Sequence, residues 1–297
     1  MVERHDVAFE AEGGVTLRGW LFVPDRPGPH PAVTMAHGYA CVREHGIEPF
    51  ARAFAEDGFV VLLHDHRGFG ASGGEPRQDV DPWRQIADWR RAISCLEARP
   101  EVDPLRIGLW GTSYAGGHAI VLGATDRRLR CVVAQVPTIS GYEQGLRRVP
   151  PDAVATLEEA FVEDERRQFR GEPPQRLAIV SADPAVPAAY RTQEAIDFYL
   201  QPLPDNVWEN AVTLRSTRSA RMYEPGVWAS RVSPTPLLLV VGLHDTVTVA
   251  ELALDAYERA LQPKKLITIP GGHFDAYGSM FQQSSRAALD WFTEHLT

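Results

Sequence analysis

The sequence predicts a mostly parallel, doubly wound α/β sheet with an inserted, mainly helical cap. Apolar, strand-like runs alternate with amphipathic helical stretches, and repeated strand–helix–strand units imply parallel strands covered by helices on both faces. The alternation stops near Pro137 and resumes near Pro236. We therefore expect one core domain built from residues 1–136 and 236–297, with residues 137–235 forming the cap.

The first part of the core begins with strands. Residues 15–23 alternate between apolar and polar side chains at period two, and residues 31–36 form a second strand after a turn rich in Pro and Gly. Four elements then follow as helix, strand, helix and strand, over residues 47–54, 59–63, 82–96 and 107–110. A helix after Ser113 and a strand over residues 129–134 complete this part.

The cap segment is rich in proline, charge and aromatic residues, with helical stretches near residues 154–169 and 190–199. Its large aromatic side chains are Phe161, Phe169, Phe198, Tyr199, Trp208 and Trp228. They either line a pocket for an apolar or aromatic substrate or form the core of the cap, and the sequence leaves both interpretations open. The sheet resumes with a strand over residues 237–241, a helix to residue 261, a strand over residues 266–269 and a final helix.

Composition limits the partners. The 297 residues carry a formal net charge of -9, which argues against nucleic acid or an anionic membrane as the main partner. The sequence shows neither a signal peptide nor a bilayer-spanning stretch, so we expect a cytoplasmic protein. Cys41, Cys95 and Cys131 have neither a disulfide framework nor metal-ligand spacing. We expect no metal and no organic cofactor, and a homodimer stays an open alternative to a monomer.

The most specific motif is the run Gly111-Thr-Ser-Tyr-Ala-Gly-Gly117, which follows an apolar strand and opens an apolar helix. A serine between small residues on such a turn is exposed for attack in a strained backbone conformation, an arrangement called a nucleophile elbow. The usual pattern is G-x-S-x-G, whereas here Ala115 takes the fifth position and glycine follows at Gly116. Because alanine is also small, we still predict that Ser113 is a nucleophile.

A second glycine motif competes with the first. The segment Gly70-Ala-Ser-Gly-Gly74 matches G-x-S-x-G, and Gly68, Gly70 and Gly73 also match G-x-G-x-x-G. An elbow or a dinucleotide loop has to open a helix directly. A polar loop over residues 75–79 follows instead, so we interpret the segment as a glycine-rich surface loop.

A serine nucleophile needs a base, and that base needs a carboxylate to orient it. An open α/β sheet gathers its site at the carboxyl ends of its strands. Asp245 follows the strand over residues 237–241, and His273 follows the strand over residues 266–269. The order Ser113, Asp245, His273 is the one expected with an elbow serine, so we predict that these three residues form a catalytic triad.

Several neighbours offer alternatives. Asp245 also suits the role of a cap for the following helix. His244 competes as the base, but Asp245 beside it could not then orient it across the site. Asp65 is a rival acid on a strand that does not fit the expected order. We interpret His64, His66 and His118 as structural or surface residues rather than as the base.

The attacked carbonyl also needs two donors where negative charge develops, an oxyanion hole. The backbone N–H of Tyr114, directly after the nucleophile, is the first candidate. The second comes from the loop His37-Gly-Tyr-Ala40, which follows the strand over residues 31–36. We predict the backbone N–H of Tyr39, with that of Ala40 as the alternative.

Together these residues resemble the α/β-hydrolase superfamily. The resemblance rests on His37-Gly38-Tyr39, on residues 64–73, on the elbow, on Asp245 and on Gly272-His273. The Gly-x-Ser-Tyr-x-Gly form and the pair Arg43-Glu44 resemble the branch that holds X-prolyl-dipeptidyl-peptidase-like esterases and hydrolase-like polyketide transferases. The resemblance covers residues 15–136 and 236–296, and the cap carries no motif of that branch.

The resemblance implies the same roles for the triad and for the Tyr39 and Tyr114 donors, and it makes Asp65 and Arg67 structural. We therefore expect a serine hydrolase that cleaves a carboxylic ester, thioester or lactone of a small, apolar molecule through an acyl-serine intermediate. An acyltransferase of polyketide tailoring with the same triad is the first alternative. A non-catalytic scaffold that binds a small molecule is the second.

Overall fold

The computed structural model describes residues 2–297. Its strands are β1 (Val2–Glu10), β2 (Thr16–Pro24), β3 (His30–Ala36), β4 (Val60–His64), β5 (Val102–Thr112), β6 (Leu129–Gln135), β7 (Arg176–Val180), β8 (Ala188–Tyr190), β9 (Val212–Thr213), β10 (Leu237–Gly242) and β11 (Lys264–Ile269). Its helices are α1 (Glu48–Asp57), α2 (Pro82–Glu97), α3 (Tyr114–Thr125), α4 (Gly141–Arg148), α5 (Val154–Phe169), α6 (Gln193–Tyr199), α7 (Leu214–Arg221), α8 (Ala250–Arg259) and α9 (Phe281–Leu296).

The central sheet has eight strands in the order β1-β2-β4-β3-β5-β6-β10-β11. Six neighbouring strands of this sheet run parallel, namely β4, β3, β5, β6, β10 and β11. Strand β2 pairs antiparallel with both β1 and β4. Helices α2, α3 and α8 pack on one face of the sheet, and α1 and α9 pack on the other. The predicted mostly parallel, doubly wound sheet with an insertion is confirmed.

Local sequence explains where the helices begin and end. The side chain of Asp81 accepts hydrogen bonds from the backbone N–H groups of Trp83 and Arg84, and Pro82 takes the first position of α2. Gly58, directly after the last residue of α1, terminates this helix. Its φ of 110° is the left-handed conformation that favours glycine. Buried strands such as β10 are continuous apolar runs because helices cover both of their faces.

The segment between β6 and β10, residues 136–236, is hereafter the insertion. It contains α4 to α7, as the mainly helical prediction requires, and it also contains a three-stranded sheet in the order β8-β7-β9. Strand β1, which forms one edge of the central sheet, is not predicted from the sequence. Between residues 2 and 297, no helix is both long and apolar enough to cross a membrane.

Candidate active site

Ser113 occupies the turn between β5 and α3, with φ 57° and ψ -118°. This backbone conformation is unfavourable for a residue with a side chain, and close packing around the turn maintains it. A Cβ atom on Gly111 would collide with the carbonyl of Ala115, and one on Gly116 would lie 2.9 Å from the Cα of Pro137. The glycines at these two positions are therefore required by packing, whereas Ala115 is accommodated in the fifth position of the motif.

The structure brings the three predicted triad residues together. The Nε2 atom of His273 lies 2.9 Å from the Oγ of Ser113, and its Nδ1 lies 2.7 Å from the Oδ2 of Asp245. His273 and Asp245 are both buried. With Nδ1 protonated and bonded to the carboxylate, Nε2 is free to accept the proton of the Ser113 hydroxyl, which is the arrangement a serine nucleophile requires.

The Asp245 carboxylate is fixed on both oxygens. Its Oδ1 accepts backbone N–H bonds from Val247 at 2.8 Å and Thr248 at 2.9 Å, and its Oδ2 accepts the Thr248 hydroxyl at 2.7 Å. Burial raises the pKa of Asp245, but the charge and hydrogen bond of His273 and the bonds from Thr248 outweigh burial and bring the pKa below its usual value. The Asp245 side chain thus contacts His273 and holds the turn over residues 245–248, whereas α8 begins after Val249 without a side-chain cap, so the alternative of a helix cap is wrong.

The residues predicted to donate to the oxyanion lie near the nucleophile: Tyr114 follows Ser113 directly, and Tyr39 lines the same cavity as Ser113. Tyr114 is the first residue of α3, and neither its backbone N–H nor that of Tyr39 donates a hydrogen bond within residues 2–297. The loop before Tyr39 contacts the nucleophile directly, since a Cβ atom on Gly38 would lie 3.0 Å from the Cβ of Ser113 and 3.2 Å from its Oγ. Both N–H groups are thus unpaired among the described residues and belong to residues next to Ser113 or to the loop that contacts it, which leaves the predicted oxyanion hole a prediction. The N–H of Ala40 remains the alternative.

His37 has a role that the sequence analysis did not identify. Its Nε2 accepts the backbone N–H of His66 at 3.2 Å, so its proton is on Nδ1, which lies 3.1 Å from the carbonyl oxygen of Gly38. Burial lowers the pKa of His37 to about 4 and keeps the ring neutral. The bond to the Gly38 carbonyl orients the peptide unit that carries the Tyr39 N–H.

The rival residues lie elsewhere. His244 is exposed and its ring does not hydrogen-bond to Ser113 or Asp245 in the described chain. Asp65 is fully buried, accepts the backbone N–H of Arg43 at 2.8 Å and lies 3.6 Å from its guanidinium. Arg67, which is partly exposed, forms an ion pair with the buried Asp88. Asp65 and Arg67 hence hold the loops behind the site together rather than contacting the nucleophile.

The interpretation of the second glycine motif as a surface loop is wrong in one respect. Ser72 is buried, and its hydroxyl donates to the carbonyl oxygen of Asp65 at 2.7 Å. Gly70 lies so close to the Asp65 carboxylate that a Cβ atom there would collide with it, and the Ala71 N–H donates to the same carboxylate at 3.1 Å. The buried charge of Asp65 draws the loop inward, and no helix follows the loop until α2.

The insertion covers the triad. A cavity of about 10 Å³ beside Ser113, room for about one water molecule, has aromatic walls from both the insertion and the core. These walls are the side chains of Phe198, Tyr199, Phe274 and Tyr277. Other aromatic residues of the insertion do not contribute to the walls, since Phe161 is buried within the insertion and Phe169 is 94% exposed. Phe198 and Tyr199 thus line the cavity and Phe161 is buried in the insertion, whereas the exposed Phe169 fits neither interpretation of the cap aromatics.

The described residues hold no group of three or more His, Cys, Asp or Glu side chains placed to bind a metal ion. All three cysteines are free, and burial raises the pKa of the Cys41 thiol to about 12. Cys41 lies in the cavity wall beside Ser113, but a protonated, buried thiol of this kind is a weak nucleophile.

Known proteins resemble this chain over its full length. A polyketide transferase, grgF, from Penicillium sp is 29% identical over 294 residues, which are 99% of this chain and 97% of the relative. A thiohydrolase from Eupenicillium brefeldianum is 28% identical over 283 residues, which are 93% of this chain and 89% of the relative. The crystal structure of the α/β hydrolase GrgF from Penicillium sp. sh18 superposes with a TM-score of 0.86 at 28% identity, covering 99% of both chains.

The sequence profile of the family described as X-Pro dipeptidyl-peptidase (S15 family) matches residues 13–275. This match includes the elbow, the Asp245 turn and the His273 loop. The chain therefore belongs to the X-Pro dipeptidyl-peptidase (S15) family and is a serine hydrolase with the α/β-hydrolase fold.

Proposed function

We propose that the protein is an acyl-transfer enzyme that takes an apolar acyl group from a thioester onto Ser113 and passes it to a small alcohol, amine or water molecule. The observation that carries this proposal is the assembled triad, with 2.9 Å between His273 Nε2 and Ser113 Oγ, beside a cavity lined by Phe198 and Tyr199 of the insertion. The roles of Ser113, His273, Asp245 and the two backbone donors are part of the proposal.

The chemistry divides into two half-reactions. In the first, His273 Nε2 takes the proton from the Ser113 hydroxyl as its oxygen attacks the thioester carbonyl carbon. The N–H groups of Tyr39 and Tyr114 stabilise the oxyanion, the C–S bond breaks, and the thiol leaves with the proton from His273. In the second, His273 takes a proton from the acceptor, which attacks the acyl-Ser113 carbonyl and releases Ser113 with its hydroxyl restored.

Two observations favour a thioester and transfer over simple ester hydrolysis. The relatives with matching full-length sequences include a polyketide transferase and a thiohydrolase. The cavity beside Ser113 has aromatic walls from the insertion and the core, and an insertion that encloses a bound acyl group limits the access of bulk water to acyl-Ser113, so that a bound acceptor competes with it. Carboxylic ester hydrolysis uses the same residues and is the second candidate, supported by the same triad geometry.

The test compares a series of acyl-N-acetylcysteamine thioesters, from acetyl to decanoyl, with oxygen esters of the same acyl groups. Thiol release, the mass of the intact protein and the products formed with and without added butanol or butylamine are measured. We expect acylation of Ser113, faster turnover of the thioesters, and acyl transfer to the acceptor. Free acid alone, whatever the acceptor, would identify a thiohydrolase. Absence of acylation in the wild-type protein, with Ser113→Ala as the control, would refute the proposal.

A further inference from the structure

The loop that carries the second oxyanion donor, residues 37–41 and hereafter the oxyanion loop, is hydrogen-bonded to the insertion. The hydroxyl of Tyr199, the last residue of α6, donates to the carbonyl oxygen of Tyr39 at 2.8 Å. The indole N–H of Trp208 donates to the carbonyl oxygen of Ala40 at 2.9 Å. Two consecutive carbonyls of a core loop thus depend on two side chains of the insertion.

The oxyanion loop has few comparable bonds of its own. Ala40 has a φ of 52°, a left-handed conformation that is unfavourable for a residue other than glycine and persists only where surrounding contacts hold it. Within the loop, the Cys41 N–H reaches the Gly38 carbonyl at 3.4 Å, and His37 Nδ1 reaches the same oxygen at 3.1 Å. The two bonds from the insertion are shorter. Their acceptors are the carbonyl oxygens of Tyr39 and Ala40, the two residues that the strained peptide joins.

Packing fixes the direction of both donors. The ring of Tyr199 stacks on that of Tyr190 at 5.7 Å and on that of Trp208 at 6.2 Å, with interplanar angles of 21° and 24°. His45 packs edge-on against Trp208 with ring centroids 5.1 Å apart. Phe198, beside Tyr199 in α6, lies in the wall of the cavity at Ser113. The same short helix therefore contacts both the substrate space and the oxyanion loop.

We propose that Tyr199 and Trp208 are positioning residues, which place the Tyr39 N–H for the oxyanion only while the insertion is closed over the site. Movement of the insertion away from the core, with α6 and the following segment that carries Trp208, breaks both bonds and releases the Tyr39–Ala40 peptide. Closure then excludes water and completes the oxyanion hole in one motion, so Ser113 is acylated efficiently only by a substrate that the insertion has enclosed. This inference rests on the proposed acyl-Ser113 chemistry.

The test uses Tyr199→Phe and Trp208→Phe, which keep an aromatic ring but remove the donor. Tyr142→Phe is the matched control, because Tyr142 lies in α4 of the same insertion and is 56% exposed. For each protein we would measure kcat and KM with an acyl-N-acetylcysteamine thioester and the Ki of a trifluoromethyl ketone with the same acyl chain. Such a ketone adds to the nucleophilic serine and forms an oxyanion, so its affinity reports the donors directly.

We expect each donor variant to lower kcat about 5- to 10-fold, the effect of one hydrogen bond lost in the transition state, with KM changed less than about twofold. The Ki of the ketone should rise by the same factor as kcat falls, and Tyr142→Phe should change neither. A merely structural role would lower the thermal unfolding temperature or raise KM without this parallel change. Unchanged kcat and Ki in both donor variants would overturn the inference.

Labelling of Ser113 by a fluorophosphonate separates this inference from the proposed function. If the wild-type protein is labelled but turns over no thioester, the proposed substrate class is wrong. The labelling rates of the variants then still test the positioning role, because phosphonylation also places negative charge on an oxygen in the oxyanion hole. A slower rate in both donor variants supports the inference, and an equal rate refutes it. If Tyr199→Phe does not fold, Trp208→Phe carries the same comparison.

Discussion

Buried histidines should make the folded protein sensitive to acid well above the pH at which carboxyl groups titrate. Burial lowers the pKa of His37 and His45 to about 4 and that of His64 and His118 to about 3. It also holds the pKa of His66 well below its usual value. Each of these side chains stays neutral in the folded protein under conditions in which the unfolded chain is protonated.

The magnitude follows from proton uptake on unfolding. The unfolded chain returns each of the five histidines to a pKa of 6.5, so unfolding at pH 5.5 takes up about 0.9 proton per histidine, or about 4.5 in total. The free energy of unfolding then falls by about 6 kcal/mol per pH unit. The stability is fully present above pH 6.5 and is lost as the pH falls. Asp65 and Asp88, whose pKa burial raises, act in the opposite direction, which makes this slope an upper value.

The assay is urea unfolding followed by tryptophan fluorescence between pH 7.5 and pH 5.5. We expect the unfolding free energy to fall steeply below pH 6.5, and His64→Phe to reduce the proton uptake by about one. His5→Gln is the control, because His5 lies on β1 with its side chain half exposed and should leave the slope unchanged. A stability that stays constant between pH 6.5 and pH 5.5 would refute the argument that burial keeps these rings neutral.

Two further substitutions test the site itself. Asp245→Asn should lower kcat about 10⁴-fold, because an amide nitrogen in place of the Oδ2 atom that accepts His273 Nδ1–H at 2.7 Å favours the wrong histidine tautomer. Steady-state thiol release measures kcat, and a loss below tenfold would contradict the role assigned to Asp245. Gly38→Ala should slow fluorophosphonate labelling of Ser113 about 100-fold, since the added Cβ atom would lie 3.0 Å from the Cβ of Ser113. Circular dichroism would show whether that variant is folded, and an unchanged labelling rate would mean that the loop can move aside.

The core of the fold could be predicted because its signals are local. A buried parallel strand such as β10 is a continuous apolar run, and the surrounding helices carry apolar residues at helical spacing. The candidate site could be predicted from the same information, since Ser113, Asp245 and His273 each follow a strand whose carboxyl end faces the same edge of the sheet. The structure adds the 2.7 Å and 2.9 Å distances that join them.

Other features depend on contacts that sequence patterns do not encode. Strand β1 carries charged, largely exposed side chains and pairs with β2 alone, so it lacks the apolar run that identifies a buried strand. In the insertion, β8 and β9 have three and two residues, which is too short for a periodic pattern. The bonds from Tyr199 and Trp208 to the oxyanion loop span 160 and 168 positions, and nothing in the local sequence indicates that pairing.

The chain leaves the core at the carboxyl end of β6 and re-enters it at the amino end of the adjacent strand β10. Strands β6 and β10, which bound the insertion, pair in parallel, with Val132 opposite Leu237. Because Ser113, Asp245 and His273 all lie outside the insertion, a change of the insertion can alter the pocket while the triad residues are kept. Such a change is constrained by bonds to the core, including the buried bond between Tyr223 and His118, and a replacement without donors equivalent to Tyr199 and Trp208 would bring a new pocket but an unsupported oxyanion loop. Diversification of substrates by recombination should then favour modules that preserve these two donors.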